Sequence, residues 1–309
     1  MSRHAWVVAI ALLGAALAAT GCGFGAGASV GEVSLTVTRD YGARRLVGPV
    51  RDEASESDTV MRLLDRSADI STRYGGGFVS SIDGLSEASR AGRRYDWFFY
   101  VDGVESAVGA ADFPMRGGDA IWWDYRDWSA AERVPAVVGS WPQPLSGGYE
   151  GKRHPVTLEC RAAGATCGLV RNRLAAAGVE TVPGAPPAAI RVLVGPWSRL
   201  REDPAAAQLD DGPQVSGVFA EFADAPAAPG GLALRGLDED GAPVRELGPG
   251  AGLVAATRRY DAPPVWLVTG ATSAGTRAAA GLLDAAHLRD HYAVAVEDGR
   301  ETSLPLGAR

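Results

Sequence analysis

The chain has 309 residues, ordinary apolar content and a formal net charge of −7. A length of this order is typical of two domains rather than one. The mildly acidic charge gives no electrostatic reason to bind nucleic acid, so no nucleic-acid partner is expected. Beyond the N-terminal region, no apolar stretch is long enough to predict a membrane span.

The first residues have the pattern of an export signal. Arg3 precedes an apolar run that ends at Ala19 and is shorter than the ~20 residues that a membrane-spanning helix needs. Small residues then lead directly to Cys22, and this exit resembles a bacterial lipobox, which implies lipid on the cysteine. We expect a signal peptide over residues 1–21 and a glycine-rich tether over 22–30. The alternative is a plain secretory signal with an incidental cysteine.

The two remaining cysteines predict a disulfide. If Cys22 is lipidated, Cys160 and Cys167 form an even pair, and in an oxidising exterior such a pair is expected to be oxidised. A metal site is the alternative, but no second cysteine pair lies nearby.

The first domain is predicted over residues 31–128. Val33, Leu35 and Val37 alternate with hydroxyl residues, which indicates a half-buried strand. The further predicted elements are a strand at 41–50, a helix within 55–70, and strands at 75–85, 95–106 and 117–128. Two strands, a helix and then more strands predict an α+β roll with the β-grasp pattern.

A Pro/Gly-rich linker is predicted over residues 129–150, before a second domain over 151–309. Strands are predicted at 155–160, 190–197, 217–223, 231–247, 264–271 and 291–299, and helices at 166–178, 201–211, 250–260 and 274–290. Alternating strands and helices indicate an α/β layered domain.

Four segments carry a family resemblance: TVMRLLDR, YGGGFVSSIDG, DWFFYVDGVES and GGDAIWWDY. They are similar to the β-grasp domain at the C-terminus of transcobalamin and intrinsic factor, whose bacterial versions belong to a domain family of unknown function. One departure is Asp102, where asparagine is usual, although both residues suit the turn. In the vitamin carriers this domain lies over one face of the corrin ring. The resemblance therefore implies ligand binding, with a cobalamin-like molecule as the candidate.

Aromatic residues dominate the predicted ligand site. In a strand, alternate residues face opposite sides, so one helix can cover only one aromatic face of the sheet. An uncovered face would be a ligand or partner surface, whereas the second domain or the linker, which carries Trp141, could also cover it. The predicted ligand-binding residues are Tyr74, Phe98, Tyr100, Asp102, Trp122, Trp123 and Tyr125. Tyr74 would form a flexible lip, or simply part of a turn.

Motifs for catalysis miss their required spacing. Ser273 lies in a segment that is one residue away from both a dinucleotide-binding loop and a nucleophile elbow. Asp284, His287 and His291 have a spacing that could hold zinc on a helix, but the glutamate of the metalloprotease motif is absent, which favours a solvated helix end. We therefore predict no catalytic residue, no metal ligand, no cofactor and no enzymatic activity.

The sequence as a whole favours a lipid-anchored protein on the outer face of the cytoplasmic membrane. It would bind a small planar amphipathic ligand, for which the resemblance implies a cobalamin-like molecule, and deliver it to a membrane importer. One alternative is a non-catalytic surface protein that recognises glycan or protein through the aromatic face. Another is an exported hydrolase that uses the second domain.

Overall fold

The computed structural model describes residues 27–184 and 186–307. They form a β-rich α+β architecture with two six-stranded and two three-stranded sheets. Cys22, the predicted signal peptide and the first part of the predicted tether lie outside the described residues. Among the described residues, no helix is both long enough and apolar enough to cross a membrane.

The N-terminal sheet is formed by six strands. They are β1 (Ser29–Arg39), β2 (Arg44–Ser55), β6 (Ala88–Arg90), β7 (Arg93–Val101), β8 (Val104–Glu105) and β9 (Ala120–Asp127). Their order is β2-β1-β9-β7-β6, with β8 paired to β7. The first and last long strands, β1 and β9, run parallel, whereas β7 and β9 run antiparallel.

One face of this sheet packs against a short helix, α1 (Val60–Asp65). The helix begins where the Thr59 hydroxyl accepts a hydrogen bond from the Arg62 amide (3.3 Å), which satisfies one of the free amides of the first turn. A small sheet of β3 (Ile70–Arg73), β4 (Phe78–Ile82) and β5 (Leu85–Ser86) follows, with a 3-10 turn at Tyr74–Gly76.

The C-terminal domain contains the second large sheet. Its strands are β10 (Val156–Cys160), β11 (Ile190–Pro196), β15 (Gly252–Thr257), β16 (Val265–Gly270), β17 (Ala293–Glu297) and β18 (Arg300–Leu304). Their order is β10-β11-β16-β15-β17-β18. The third sheet consists of β12 (Ala220–Asp224), β13 (Leu232–Leu237) and β14 (Pro243–Glu246). The helices are α2 (Gly164–Ala176), α3 (Trp197–Leu200), α4 (Pro213–Ser216), α5 (Ser273–Gly281) and α6 (Ala285–Leu288), with a 3-10 turn at Ala206–Asp211.

The C-terminal sheet is the central layer of the molecule, because both of its faces are buried. Val192 and Val254 point to the face that packs against helices α2 and α5. Their neighbours Leu193 and Leu253 point to the other face, where they share a core with the third sheet and with the N-terminal sheet. Strands buried on both faces are apolar without alternation, as the inner strands β15, β16 and β17 are.

The segment predicted as a linker is packed into the interior. Val134 and Val137 join the core between the two large sheets, while Trp141 and Leu145 join the core beside the helices. Proline and glycine shape this segment locally, but its apolar side chains are buried by both neighbouring domains.

Three predicted helices differ in the structure. The prediction over 250–260 is wrong: this segment is strand β15, which is buried between β16 and β17. A short run of small apolar residues does not distinguish a buried strand from a helix. The helix predicted at 274–290 ends at Gly281 and resumes as α6, and the one at 201–211 is largely a 3-10 turn.

Candidate functional site

The predicted aromatic residues are divided between the two faces of the N-terminal sheet. Trp123 and Tyr125 lie with Trp97 on the face that packs against helix α1. Tyr100 and Trp122 lie on the opposite face and pack against the C-terminal domain. None of these five residues is more than 5 % exposed.

Of the arrangements that the sequence left open, the structure has the one in which the second domain covers the aromatic face. The Tyr292 ring packs edge-on against Tyr100 and Trp122, with centroid distances of 5.7 and 5.3 Å. Covering the rings removes a large apolar area from water. The ring faces of Tyr100, Trp122, Trp123 and Tyr125 are buried, so a flat ligand cannot stack on them while the domains are joined, and of these four residues only Trp122 lines one of the cavities described below.

Phe98 and Tyr74 lie apart from those rings. Phe98 is half-buried beneath the Arg126 guanidinium, whose Cζ lies 3.8 Å from the ring centroid. Arg126 is fully buried and donates to the carbonyls of Ala131 (2.7 Å) and Glu132 (3.0 Å), so it fastens the start of the linker segment. Tyr74 is 87 % exposed in its 3-10 turn.

A buried polar network joins the two domains behind the aromatic face. Asp124 accepts hydrogen bonds from Thr38 Oγ1 (2.5 Å), the Gly42 amide (3.1 Å) and the Tyr292 hydroxyl (3.0 Å). Trp122 Nε1 donates to Thr38 Oγ1 (2.7 Å). Complete burial raises the pKa of Asp124 to about 6, although these donors oppose the shift. Residues of both domains therefore satisfy the hydrogen bonds of Asp124 and fix the contact between them. We call this interface between the two domains the seam.

Two adjoining cavities open along the edge of this seam, and we call them together the seam groove. The first has a volume of about 360 Å³ and the second about 420 Å³, and Gly118 and Gln143 line both. The first cavity combines Ser34 of β1 with the edges of Trp122 and Trp141. Residues of both domains and of the linker segment therefore form its walls.

A buried carboxyl pair lies in the second cavity. Asp102 Oδ1 accepts from the Ala120 amide (3.0 Å), and Asp119 Oδ2 accepts from the Arg116 amide (2.8 Å). Burial and the charge of Asp119 raise the pKa of Asp102 to about 8, and burial also raises the pKa of Asp119. Both shifts favour a protonated carboxyl in this pair, and the two groups titrate together. Asp102 is thus a predicted site residue that does line a cavity.

Three cationic side chains share the second cavity with this pair: Arg116, Lys152 and Arg153. The Arg116 guanidinium lies directly over Gly151, because a Cβ placed on that glycine would come within 2.6 Å of Arg116 Cζ. The neighbouring Glu150 forms its ion pair elsewhere, with Arg258 (2.8 Å). Within the described part of the chain, none of the three cations has a carboxylate partner within 4.0 Å.

The residues considered for catalysis or metal binding lie at or near helix ends. Ser273 begins helix α5, and the hydroxyl of the preceding Thr272 caps it by accepting from the Gly275 amide (3.2 Å). His287 Nδ1 lies 2.6 Å from Asp284 Oδ1, whereas His291 follows the end of α6. In the residues that the structure describes, no group of three or more His, Cys, Asp or Glu side chains is placed to hold a metal ion.

The predicted disulfide is confirmed. Cys160 at the end of β10 is bonded to Cys167 in helix α2. The bond ties the edge strand of the C-terminal sheet to the helix that covers it.

Most residues of the second cavity were missed by sequence reasoning. The Gly117-Gly118 and Gly147-Gly148 pairs, each close to a basic residue, were the available signal, since paired glycines open space around a backbone. They are separated by strand β9 and most of the linker segment, so their proximity is visible only in the fold.

Comparison with known protein families matches a segment that contributes part of this site. Residues 57–127 match the model of a domain of unknown function, DUF4430. The match runs from just before α1 to the end of β9, and it confirms the predicted relation to a domain family of unknown function. It includes Asp102, Arg116 and Asp119, whereas Lys152 and Arg153 follow it. No curated protein matches the chain.

Proposed function

We propose that this chain is a non-catalytic, extracytoplasmic ligand-binding protein whose ligand occupies the seam groove. We further propose that its N-terminal domain is a β-grasp domain related to that of the transcobalamin family. The observation that carries the proposal is the groove itself, since binding sites favour concave surfaces where domains meet.

The first cavity has the composition of a ligand site. Trp122 and Trp141 give it apolar walls, and Ser34, Ser140 and Gln143 bring hydroxyl and amide groups to the same space. A few convergent polar groups on an apolar wall are what fixes the orientation of a small ligand.

The size and lining of the groove favour a small polar ligand over a corrinoid. Each cavity lies near the lower end of the ~300–1,000 Å³ that is usual for sites of drug-sized ligands. The aromatic sheet face that would suit a flat ring system, a glycan or a protein partner is covered by the C-terminal domain. Cobalamin therefore serves as a comparison ligand in the test below.

The proposed location rests on the N-terminal sequence and on the disulfide. The pattern that ends at Cys22 supports an anchor at the outer face of the cytoplasmic membrane, and the bond between Cys160 and Cys167 suits an oxidising compartment. A tethered binding protein at this face would hand its ligand to a membrane importer, which we propose as its partner.

A cavity-filling substitution tests the proposal. Ser34→Tyr adds an aromatic ring to the partly exposed wall of the first cavity, and Thr72→Tyr adds the same ring at an exposed strand position outside the groove. Protein from its producing cells is examined by native mass spectrometry for a bound small molecule. The same variants are titrated with aquacobalamin and N-acetylglucosamine while tryptophan fluorescence is followed.

A bound molecule that is lost in Ser34→Tyr and kept in Thr72→Tyr would support the groove as the ligand site. Saturable cobalamin binding that Ser34→Tyr does not weaken would instead place a corrinoid site elsewhere and contradict the proposal. The proposal would also be contradicted if neither mass spectrometry nor titration showed a difference between Ser34→Tyr and Thr72→Tyr.

A further inference from the structure

We propose that the second cavity of the seam groove binds a phosphate monoester group, held by Arg116, Lys152 and Arg153. This inference rests on the proposed function, because it names the chemistry of the ligand in the same groove. Its argument comes from the charge of the cavity and from the way in which its cations are held.

The charge in this cavity is opposite to that of the chain. Three exposed cations line it beside the carboxyls of Asp102 and Asp119, so the cavity stays positively charged even with both carboxyls ionised. The whole chain carries −7. An excess of cations around one concave space attracts anions, so a positively charged cavity in an acidic protein indicates an anionic ligand.

The charge and geometry favour a dianion. A phosphate monoester carries about −1.5 to −2 at neutral pH and three strong acceptor oxygens, whereas a carboxylate carries one charge and two oxygens. Arg116 presents a planar fork for paired N–H···O bonds, and Lys152 and Arg153 add donors for the remaining oxygens. A carboxylate would leave part of these donors unused.

The glycines position the cations around one space. Gly151 lets the Arg116 guanidinium lie on the backbone one residue before Lys152. Gly148 has φ +95°, and a Cβ on it would approach within 1.9 Å of the Lys152 carbonyl oxygen and 2.8 Å of Arg153 Cα. The turn over residues 148–153 is therefore folded tightly beneath Arg116, which keeps the three cations on one cavity.

The non-phosphate part of the ligand has a place to lie. Gln143 stands between the two cavities, with its Oε1 accepting from the Gly147 amide (2.7 Å) and the Ser146 hydroxyl (3.1 Å). A phosphate in the second cavity would direct an attached polar group past Gln143 toward Trp141. A small phosphorylated polyol or sugar, free or as a lipid headgroup, has this chemistry.

Calorimetric titration of the Cys22→Ser chain, which has no lipid on that residue, tests the inference. The probes are glycerol 3-phosphate, inorganic phosphate and glucuronate. The variants are Arg116→Gln and Lys152→Gln, and the matched control is Arg171→Gln, which removes one exposed positive charge from helix α2. Urea unfolding of each variant shows that it is folded.

We expect saturable binding of glycerol 3-phosphate, with weaker binding of glucuronate. Arg116→Gln should weaken the phosphate affinity about ten- to a hundredfold, and Arg171→Gln should leave it unchanged. Vesicles of phosphatidylcholine with and without phosphatidic acid separate the sources: retention by phosphatidic acid that glycerol 3-phosphate displaces indicates a lipid headgroup, and its absence indicates a free phosphate.

No saturable heat with either phosphate probe would overturn the inference. Equal losses in Arg116→Gln and Arg171→Gln would do the same, because they would indicate general charge attraction. If a neutral ligand is still lost from Ser34→Tyr, the proposed function stands and only the phosphate assignment fails. If that variant also has no effect, both fail.

Discussion

Asp102→Asn tests whether the buried carboxyl pair shares a proton. Each carboxyl accepts from a backbone amide through one oxygen, and burial beside the Asp119 charge favours the protonated form of Asp102. Asparagine has nearly the same shape and carries its own N–H donor. It also tolerates the left-handed conformation of this turn residue, for which φ is +56°. The substitution therefore keeps the hydrogen bond and removes the need for protonation.

The effect on stability has a definite sign. The pKa of Asp102 is about 8 in the folded chain, against about 3.9 in an unfolded one. Between these values the folded state binds more protons, so the free energy of unfolding falls with rising pH, by about 1.4 kcal/mol per pH unit. The stabilisation is fully present below about pH 4 and is lost by about pH 8.

The magnitude at neutral pH follows from that slope. Relative to pH 4, the wild-type pair has lost at most about 4 kcal/mol at pH 7, and Asp102→Asn has no corresponding loss. The variant should therefore be more stable than the wild type at pH 7. Because the slope comes from one proton, the difference between the two proteins should shrink toward pH 4.

Urea unfolding at half-unit steps from pH 4.5 to 8 measures this difference. The matched control is Asp298→Asn, in an exposed Asp-Gly turn with a similar φ of +49°. The control should differ from wild type by less than about 0.5 kcal/mol at every pH. Parallel curves for Asp102→Asn and wild type would refute the shared proton.

Three further predictions concern the seam and the disulfide. Gly42→Ala should lower the free energy of unfolding by about 2 kcal/mol more than Gly84→Ala, as measured by thermal or urea unfolding. Both glycines have φ near +80°, so the backbone strain is similar. A Cβ on Gly42 would lie 1.9 Å from the Asp290 carbonyl oxygen, whereas a Cβ on Gly84 would meet no atom within 4 Å. Tyr292→Phe should cost about 1–3 kcal/mol, because it removes a donor from the buried Asp124 carboxylate; equal unfolding midpoints would contradict this. Replacing both disulfide cysteines by alanine should lower the free energy of unfolding by about 2–3 kcal/mol. If the variant stays less stable than the wild type when the wild-type disulfide is reduced, the bond is not the cause of the difference.

Local patterns predicted the aromatic strand well. The alternation of Trp97 and Tyr100 onto opposite faces follows from strand geometry, and the Asp102-Gly103 turn ends the strand as expected. What covers the Tyr100 face depends on contacts with Tyr292, nearly two hundred residues later in the chain. Periodicity carries no information about such contacts, so exposure of the second face could not be decided.

The candidate site was harder to predict for the same reason. Arg116 belongs to a strand connection, and Lys152 and Arg153 follow directly after the segment that composition marks as a linker. Composition describes the local backbone, whereas the burial of Val137 and Trp141 depends on the surfaces that both domains offer. The Asp102 carboxyl was identified as a turn residue, and its pairing with Asp119 required the register of β9 beside β7.

The positions of these residues decide which variants can report on binding. Tyr100 and Trp122 hold the seam together, so truncating either ring removes core packing and is expected to cost about 3–5 kcal/mol of stability. A loss of binding in such a variant would not distinguish a ligand contact from unfolding. Ser34 and Arg116 line the groove and are not part of the buried cores, so their variants separate the two. Variants in the groove at the edge of the aromatic sheet, and not variants on its buried face, can therefore test ligand binding.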